Sequence, residues 1–349
     1  MQDMLLVIDG QEEYLIMPPR SEVQNIFDGE LDVSNMTKTS GIATILDHEA
    51  GWQKLGARLK KEKQVATLKA LPEFVDIFGF YANPARAKLY GQMLQKNSKL
   101  EITDLRPVLA QLRSIKQSAE LQAIQQAIDI TAQGFAAVRT KLSELAHEYE
   151  IEAILSYEFR RTGGSGHAFD PIVACGGKAC QIHRVANDAA LKKGQLIVMD
   201  VGAEYQLYAA DITRTVAFGK PTTRQRDIFK AVQEVQDYAY GQLKPGITIR
   251  EYEGLIEQKM GEVLRRLKII TSAQREDIRR YYPHATSHFL GLDIHDIGNY
   301  DEPLAENMVI TVEPGIYLPS ENIGVRLEDD VRITKTGIEI LSAAIPSEL

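Results

Sequence analysis

Gln195-Leu196-Ile197-Val198-Met199-Asp200-Val201-Gly202 is followed, eight residues on, by Ala210-Asp211-Ile212-Thr213-Arg214-Thr215. The first stretch is an apolar run of the kind that forms a buried strand, interrupted only by Asp200. An unpaired carboxylate is costly to bury, so Asp200 needs a cation, a hydrogen-bond donor or a proton. Gly202 lets the chain turn, and the segment through Thr215 can return as a second strand. That return sets Asp211 beside Asp200. Two carboxylates so placed repel unless a positive charge lies between them, and a metal ion is the economical one. The alternative is that Asp200 pairs with Arg214 while Asp211 caps a turn. These residues alone do not choose between the two.

Two further signals lie downstream. Pro283-His284-Ala285-Thr286-Ser287-His288-Phe289-Leu290-Gly291-Leu292-Asp293-Ile294-His295-Asp296 places three of the seven histidines within twelve residues. The spacing matches no common zinc motif such as His-Glu-x-x-His, and the small residues among them suggest a tight loop between strands. Glu313, in Ile310-Thr311-Val312-Glu313-Pro314-Gly315, and Glu328, in Gly324-Val325-Arg326-Leu327-Glu328-Asp329, share the problem of Asp200: carboxylates in apolar strand surroundings. Taken singly, either is read more simply as a surface residue at a strand end. Together, Asp200, Asp211, His288, Glu313 and Glu328 make four carboxylates and one imidazole. This hard, oxygen-rich set suits two divalent ions such as manganese, cobalt or zinc better than it suits a thiolate zinc site. Two ions about 3.5–4 Å apart can share a hydroxide that is nucleophilic near neutral pH.

The rest of the chain frames these signals. A length of 349 residues is too great for one ordinary core and predicts two domains. The net charge of -8 speaks against a nucleic-acid partner, which needs a basic face, and suits an acidic cleft for cations or a peptide amino terminus. Cys175 and Cys180 lack the neighbouring soft ligands of a zinc knuckle and read as two small, partly buried thiols in a reducing compartment. No run approaches the ~18 apolar residues of a membrane helix, and the first residues lack a signal-peptide pattern, so no membrane association and a cytoplasmic location are expected. The Asn35-Met36-Thr37 sequon is then read as chance.

Before residue 105 or so, strand and helix signals alternate. Residues 4–8 and 14–17 flank an Asp9-Gly10 turn and are stopped by Pro18-Pro19. Residues 41–46 are apolar, 51–61 helical and 64–68 short and β-like. This is a small α/β domain with one histidine, His48, and a structural or oligomerising role. The character changes over 104–116. Ser118 is read as an N-cap with Glu120 in the first turn, and Leu121, Ile124, Ile128, Thr131, Phe135 and Val138 follow in steps of three and four. Helical patterns are also read over 151–161, 225–243 and 249–267, a loop at Gly163-Gly164, and strands over 307–316 and 323–333.

The order Asp, Asp, His, Glu, Glu with these flanks resembles the pita-bread metallopeptidases, a family that includes methionine aminopeptidase, prolidase and aminopeptidase P. The step of eleven from Asp200 to Asp211 matches, as do four from His284 to His288 and seven from His288 to His295. His183 stands seventeen residues before Asp200, where proline-specific members carry a substrate histidine. The resemblance covers about residues 105–345. It implies an α+β fold, with a pita-bread catalytic domain over 109–349 preceded by a creatinase-like α/β domain over 1–108. That first domain reads as shortened by a few dozen residues.

Ser287 stands where prolidases and methionine aminopeptidases more often have glycine, so the stretch looks most like aminopeptidase P (Xaa-Pro aminopeptidase). Prolidase (Xaa-Pro dipeptidase) is the close alternative. A metal-free binding module, or a creatinase-type hydrolase, would lack one or more of the five ligands. The resemblance implies that Asp211 and Glu328 bridge two metals, manganese first with cobalt or zinc possible. Asp200 would complete one ion, and His288 with Glu313 the other. A bridging hydroxide would attack the Xaa-Pro carbonyl while Glu313 handles the proton. His183 and His295 would hydrogen-bond substrate or the developing oxyanion, His284 would line the proline pocket, and Arg326 would bind substrate and orient the bridging carboxylates. The implied partner is a peptide with proline second, and the implied assembly a homo-oligomer, a dimer. Arg184 follows His183 where an aromatic residue is common, which bears on which substrates fit.

Overall fold

The apolar run that carries Asp200 forms the strand Gln195–Val201, the middle one of three, with Ile172–Cys175 and Ile212–Phe218 antiparallel on either side. Thr213 pairs with Asp200 and Ile212 with Val201, so one step beyond the ladder Asp211 stands across from Gly202. No side chain fits at 202: a Cβ there would lie 1.6 Å from the Ala210 carbonyl oxygen. The intervening residues form a smaller hairpin, Ala203–Tyr205 against Tyr208–Ala209. It turns at Gln206 and Leu207, both at positive φ (49° and 72°), as a two-residue hairpin turn requires. This hairpin joins Gly166–His167 in a separate three-stranded sheet.

The computed structural model describes residues 4–10, 12–68 and 84–349. The chain divides into two units, Met1–Val108 and Leu109–Leu349.

In the first unit, Leu5–Asp9 and Glu12–Ile16 are antiparallel across a turn with Gly10 at φ 56°, and Ile45–Leu46 adds in parallel to the second strand. A second parallel pair is Gln64–Thr67 with Glu101–Asp104. Tyr14, Ile16, Leu55, Leu59, Met93 and Leu100 form its core. The α/β alternation of the sequence is present wherever the chain is described; its part over 69–83 lies outside the described residues.

The second unit is α+β, and its named strand pairs are all antiparallel. The helix Ser118–Lys141 buries Ile124, Ile128, Thr131, Phe135 and Val138 against Glu148–Arg161, which contributes Ile151, Leu155 and Phe159. Thr131 is satisfied within that apolar stripe because its hydroxyl donates to the Ala127 carbonyl and accepts the Ala203 N–H. The helix start is one residue earlier than the sequence suggested. Gln117, not Ser118, is the N-cap, and Glu120 reaches back to accept the Gln117 N–H at 2.8 Å. The helices Thr223–Gln242 and Ile249–Arg266 build the other core, with Ile228, Val232, Val235, Ile256, Met260 and Leu264 buried.

Four strands form one long hairpin, to which Ile338–Ile340 adds beside Asp329–Ile333. Val309–Val312 pairs with Asp329–Ile333, and Gly315–Leu318 with Ile323–Arg326. Val312 pairs with Asp329 and Gly315 with Arg326, so the register is continuous across a break that sets Glu313 directly opposite Glu328. The two continuous strands read from the sequence are each interrupted there, because both glutamate N–H groups leave the ladder. Glu313 N–H donates to the Thr286 carbonyl at 2.8 Å and Glu328 N–H to the Thr213 carbonyl at 3.1 Å. No described helix is long and apolar enough to cross a membrane.

Because the backbone at 202 touches the backbone at 210, the substitution Gly202→Ala is expected to cost about 3 kcal/mol of unfolding free energy. Urea denaturation of the two proteins side by side measures this, and equal midpoints would contradict the packing described.

Candidate metal centre

Period-two alternation places Arg326, Glu328 and Asp330 on one face of the hairpin, with Glu313 opposed to Glu328. The hairpin Gln195–Val201/Ile212–Phe218 meets this face through Thr213, whose hydroxyl donates to Glu328 Oε2 at 2.6 Å. Asp211 is held from its backbone, with its N–H donating to Asp330 Oδ2 at 3.1 Å. His288 comes from the loop before Val309, fixed by its N–H to Thr311 Oγ1 (3.2 Å) and by its carbonyl accepting the Thr311 N–H (3.0 Å).

These supports bring donor atoms of Asp211, His288 and Glu328 within 4.8 Å of one another, all three residues being buried. His288 Nε2 lies 3.3 Å from Asp211 Oδ2 and 3.5 Å from Glu313 Oε1. Its Nδ1 lies 3.1 Å from the Phe289 carbonyl, an acceptor, so Nδ1 carries the proton. The Nε2 lone pair of that tautomer faces carboxylate oxygens. Such an arrangement repels unless a cation or proton stands among the groups. Asp211 Oδ1 is buried with no hydrogen-bond partner, an unsatisfied acceptor on a member of the cluster. Oxygen and imidazole donors, an orphaned carboxylate oxygen and a lone pair turned inward fit divalent metal ions.

Asp200 is the member turned aside. Its Oδ2 is bound by Arg326 Nη2. Arg326 is 1% exposed and reaches three acceptors: Asp200, Thr213 Oγ1 (3.1 Å, from Nε) and Tyr317 Oη (2.8 Å, from Nη1). Arg326 and Glu328 therefore share Thr213, one donating to its hydroxyl and the other accepting from it. The alternative pairing of Asp200 with Arg214 is not made. Arg214 lies on the other face of its strand and bonds Asp329 Oδ1 at 2.7 Å, and Asp211 caps no turn.

Crowding raises the affinity of these groups for protons. Burial pushes the Asp211 carboxyl well above the ordinary range, with the Asp200 charge next in effect. Glu328 is pushed up by burial and then by Asp211. Glu313 rises to about 7, chiefly through burial, with His288 and Arg326 opposing. Two histidines move the other way: burial lowers His284 to about 3, helped by Arg326, and lowers His295 to about 4, helped by His288 and His183.

A cavity of about 640 Å³ opens over the cluster. All nine residues singled out from the sequence line it: Asp200, Asp211, His288, Glu313, Glu328, His183, His284, His295 and Arg326. His295 packs edge-on against His288, ring centroids 4.4 Å apart. His284 Nδ1 donates to the Ala285 carbonyl (2.8 Å), which leaves Nε2 to accept from Tyr317 Oη (2.8 Å). His183 stands exposed at the rim. Phe169, Ile172, Ile182, Val185 and Ile294 give the cavity apolar wall.

Sequence reasoning missed four supporting residues: Thr213, Tyr317, Asp330 and Glu253. Glu253 accepts the Thr286 and Ser287 N–H groups at 2.8 and 2.9 Å and so shapes the histidine loop. A signal for it existed. Glu253 falls at helical spacing among the buried Ile249, Ile256 and Met260, where a carboxylate is out of place.

The chain belongs to metallopeptidase family M24, whose profile it matches over residues 122–335. It is 38% identical over 267 residues to the Xaa-Pro aminopeptidase of Haemophilus influenzae, covering 71% of this chain and 62% of that protein. It is 36% identical over 252 residues to the Xaa-Pro dipeptidase of Pyrococcus furiosus, covering 71% and 68%. Its structure resembles the low-pH form of aminopeptidase P from Escherichia coli with a TM-score of 0.85 and 28% identity, over 99% of this chain and 83% of that one. The match thus spans less than two thirds of the Haemophilus relative. The α+β pita-bread fold expected from the sequence is the fold found, and the family is one of divalent-metal hydrolases.

The raised carboxyls give a pH signature. Folded Asp211, Glu313 and Glu328 bind protons more tightly than their unfolded counterparts, so their contribution to stability is full below the unfolded carboxylate range. It is lost as pH rises, for Glu313 between 4.5 and about 7. In chelator, the Tm contribution of these groups is therefore expected to fall over that range, and added divalent metal to raise Tm most at the upper end. Thermal melts with and without metal check this, and a metal effect equal at both ends would contradict it.

Proposed function

We propose that this chain hydrolyses the bond between an N-terminal residue and a following proline, as a Xaa-Pro aminopeptidase using two divalent cations. The observation that carries the reading is the convergence of Asp200, Asp211, His288, Glu313 and Glu328 beneath one peptide-sized cavity. On this reading Asp211 and Glu328 would be shared by the two ions, Asp200 would complete the donor set of one, and His288 with Glu313 that of the other. Bound there, the ions supply Lewis acidity that polarises the scissile carbonyl and makes water nucleophilic near neutral pH. Manganese is the first candidate, with cobalt and zinc next, because the donors are oxygens and an imidazole.

The protein's own groups do the rest. Glu313 Oε1 faces His288 while Oε2 lies 3.6 Å from His284 Nδ1, so this carboxylate spans the cluster and the cavity. From there it takes a proton from the attacking water and returns it to the proline nitrogen. His183 and His295, on the cavity wall, donate to the substrate carbonyl as charge develops on it. Lowered to about 4, His295 is neutral at pH 7 and donates through a single N–H. His284 lines the proline pocket, its ring locked by Tyr317. Arg326 contacts the site by orienting Asp200 and, through Thr213, Glu328.

The unit Met1–Val108 is read as a creatinase-like N-terminal domain and Leu109–Leu349 as the catalytic domain. A homodimer is the proposed assembly, with neither nucleic acid nor membrane as partner. The two cysteines are free thiols, which suits a reducing, cytoplasmic location.

Dipeptidase activity is the second reading, favoured by the likeness to the Pyrococcus protein. Gly-Pro offered beside a longer Xaa-Pro-Xaa peptide, with manganese, separates the two. Cleavage of the longer peptide is expected, cleavage of the dipeptide alone would establish the second reading, and no hydrolysis with any metal would remove both. The variant Glu313→Gln, whose amide cannot shuttle a proton, is expected to lose at least about a hundredfold in kcat while remaining folded. Near-wild-type turnover would refute the role given to Glu313.

A further inference from the structure

Lys116 and Asp296 form an ion pair with both side chains 1% exposed, Nζ 3.4 Å from Oδ2. Nothing in the metal centre uses either residue. Asp296 Oδ1 also accepts the Ile297 N–H at 2.8 Å and pairs with Arg113, which reaches Asp293 at 2.8 Å as well. Asp296 directly follows His295, and the loop bearing both closes on itself where the Asp296 N–H donates to the Phe289 carbonyl at 2.8 Å. The enclosure is tight: a Cβ on Gly291 would lie 2.1 Å from Asp296 Oδ2 and 3.1 Å from Lys116 Cε.

Lys116 is anchored on its other side. Its N–H donates to the Asn307 carbonyl at 2.9 Å, and Ile115 bridges Met308, the residue before the strand Val309–Val312 that leads into Glu313. The pair thus ties the loop of His288 and His295 to the strand of Glu313. A buried ion pair is a poor source of stability, since both charges are desolvated, but it fixes one geometry. We propose that Lys116, acting through Asp296, is a positioning residue that holds His295 in place on the wall of the substrate cavity. The proposal rests on the peptidase reading, in which His295 touches substrate.

The test is a double-mutant cycle in the full chain loaded with manganese, assayed on a Xaa-Pro-Xaa peptide. Lys116→Met is expected to lower kcat by ~10- to 100-fold, the scale of an ångström-sized misplacement, and Lys116→Arg to restore most of it. In the His295→Ala background the same Lys116→Met change is expected to cost less than about twofold, because the group it positions is gone. Equal losses in both backgrounds, or no loss in either, would overturn the proposal. Lys116→Gln, which keeps a donor for Asp296 without the charge, replaces the methionine variant if that one does not fold.

A second readout is independent of turnover. The imidazole resonances of His295, assigned through His295→Ala, are expected to shift in Lys116→Met, while those of His167, bonded to Ser156 outside the cavity, stay. Unmoved His295 resonances would overturn the proposal. A wild-type chain that cleaves no peptide would instead overturn the peptidase reading and leave the spectroscopic result to judge the positioning.

Discussion

Asp211, Glu313, Glu328 and the lone pair of His288 face one another with little access to water, Asp200 stands beside them, and one guanidinium cannot neutralise the set. Arg326 is committed to Asp200, and Thr213 supplies a hydrogen bond but no charge. Protons can fill the deficit at low pH, which is why Asp211, Glu313 and Glu328 hold them so tightly. At neutral pH divalent ions fill it better, since each places two positive charges among several oxygens. The rest of the second unit is organised around that requirement.

The backbone meets it by leaving its own regular structure at chosen points. Asp211 sits one step past a ladder that ends where Gly202 permits contact with residue 210. Glu313 and Glu328 oppose each other at the break in the final hairpin, their N–H groups donating to Thr286 and Thr213 of neighbouring segments. Those two bonds weld the histidine loop and the Asp200 hairpin to the glutamate hairpin. These side chains therefore come from segments far apart in sequence yet are braced by short backbone contacts, as a preorganised site demands. On the opposite face, Asp329 gathers Arg214, Gln236 and Tyr240, so that neighbouring carboxylates on one strand serve different structures.

Much of this was legible in the sequence because buried charge is conspicuous. Asp200 in an apolar run and three histidines in twelve residues pointed to the cavity, and the Ala210–Thr215 return was readable from Gly202. What escaped reading was whatever depends on partners distant in the chain. Nothing near Asp200 reveals that its cation is Arg326 rather than the closer Arg214; only the side to which each strand residue points decides it. The strand breaks at Glu313 and Glu328 were invisible for the same reason, since the carbonyls that draw those N–H groups away belong to other segments. Glu253 was legible, as an acid on an apolar helical stripe, and was missed. The N-cap slipped by one residue because a serine is the commoner cap and Gln117 works through Glu120.

The claim that the five side chains exist to hold a pair of cations is tested most directly by diffraction at the manganese absorption edge, from crystals of the full chain grown with that metal. Two anomalous peaks a few ångströms apart are expected, within coordination distance of Asp200, Asp211, His288, Glu313 and Glu328. A map with no peak among those residues would contradict it.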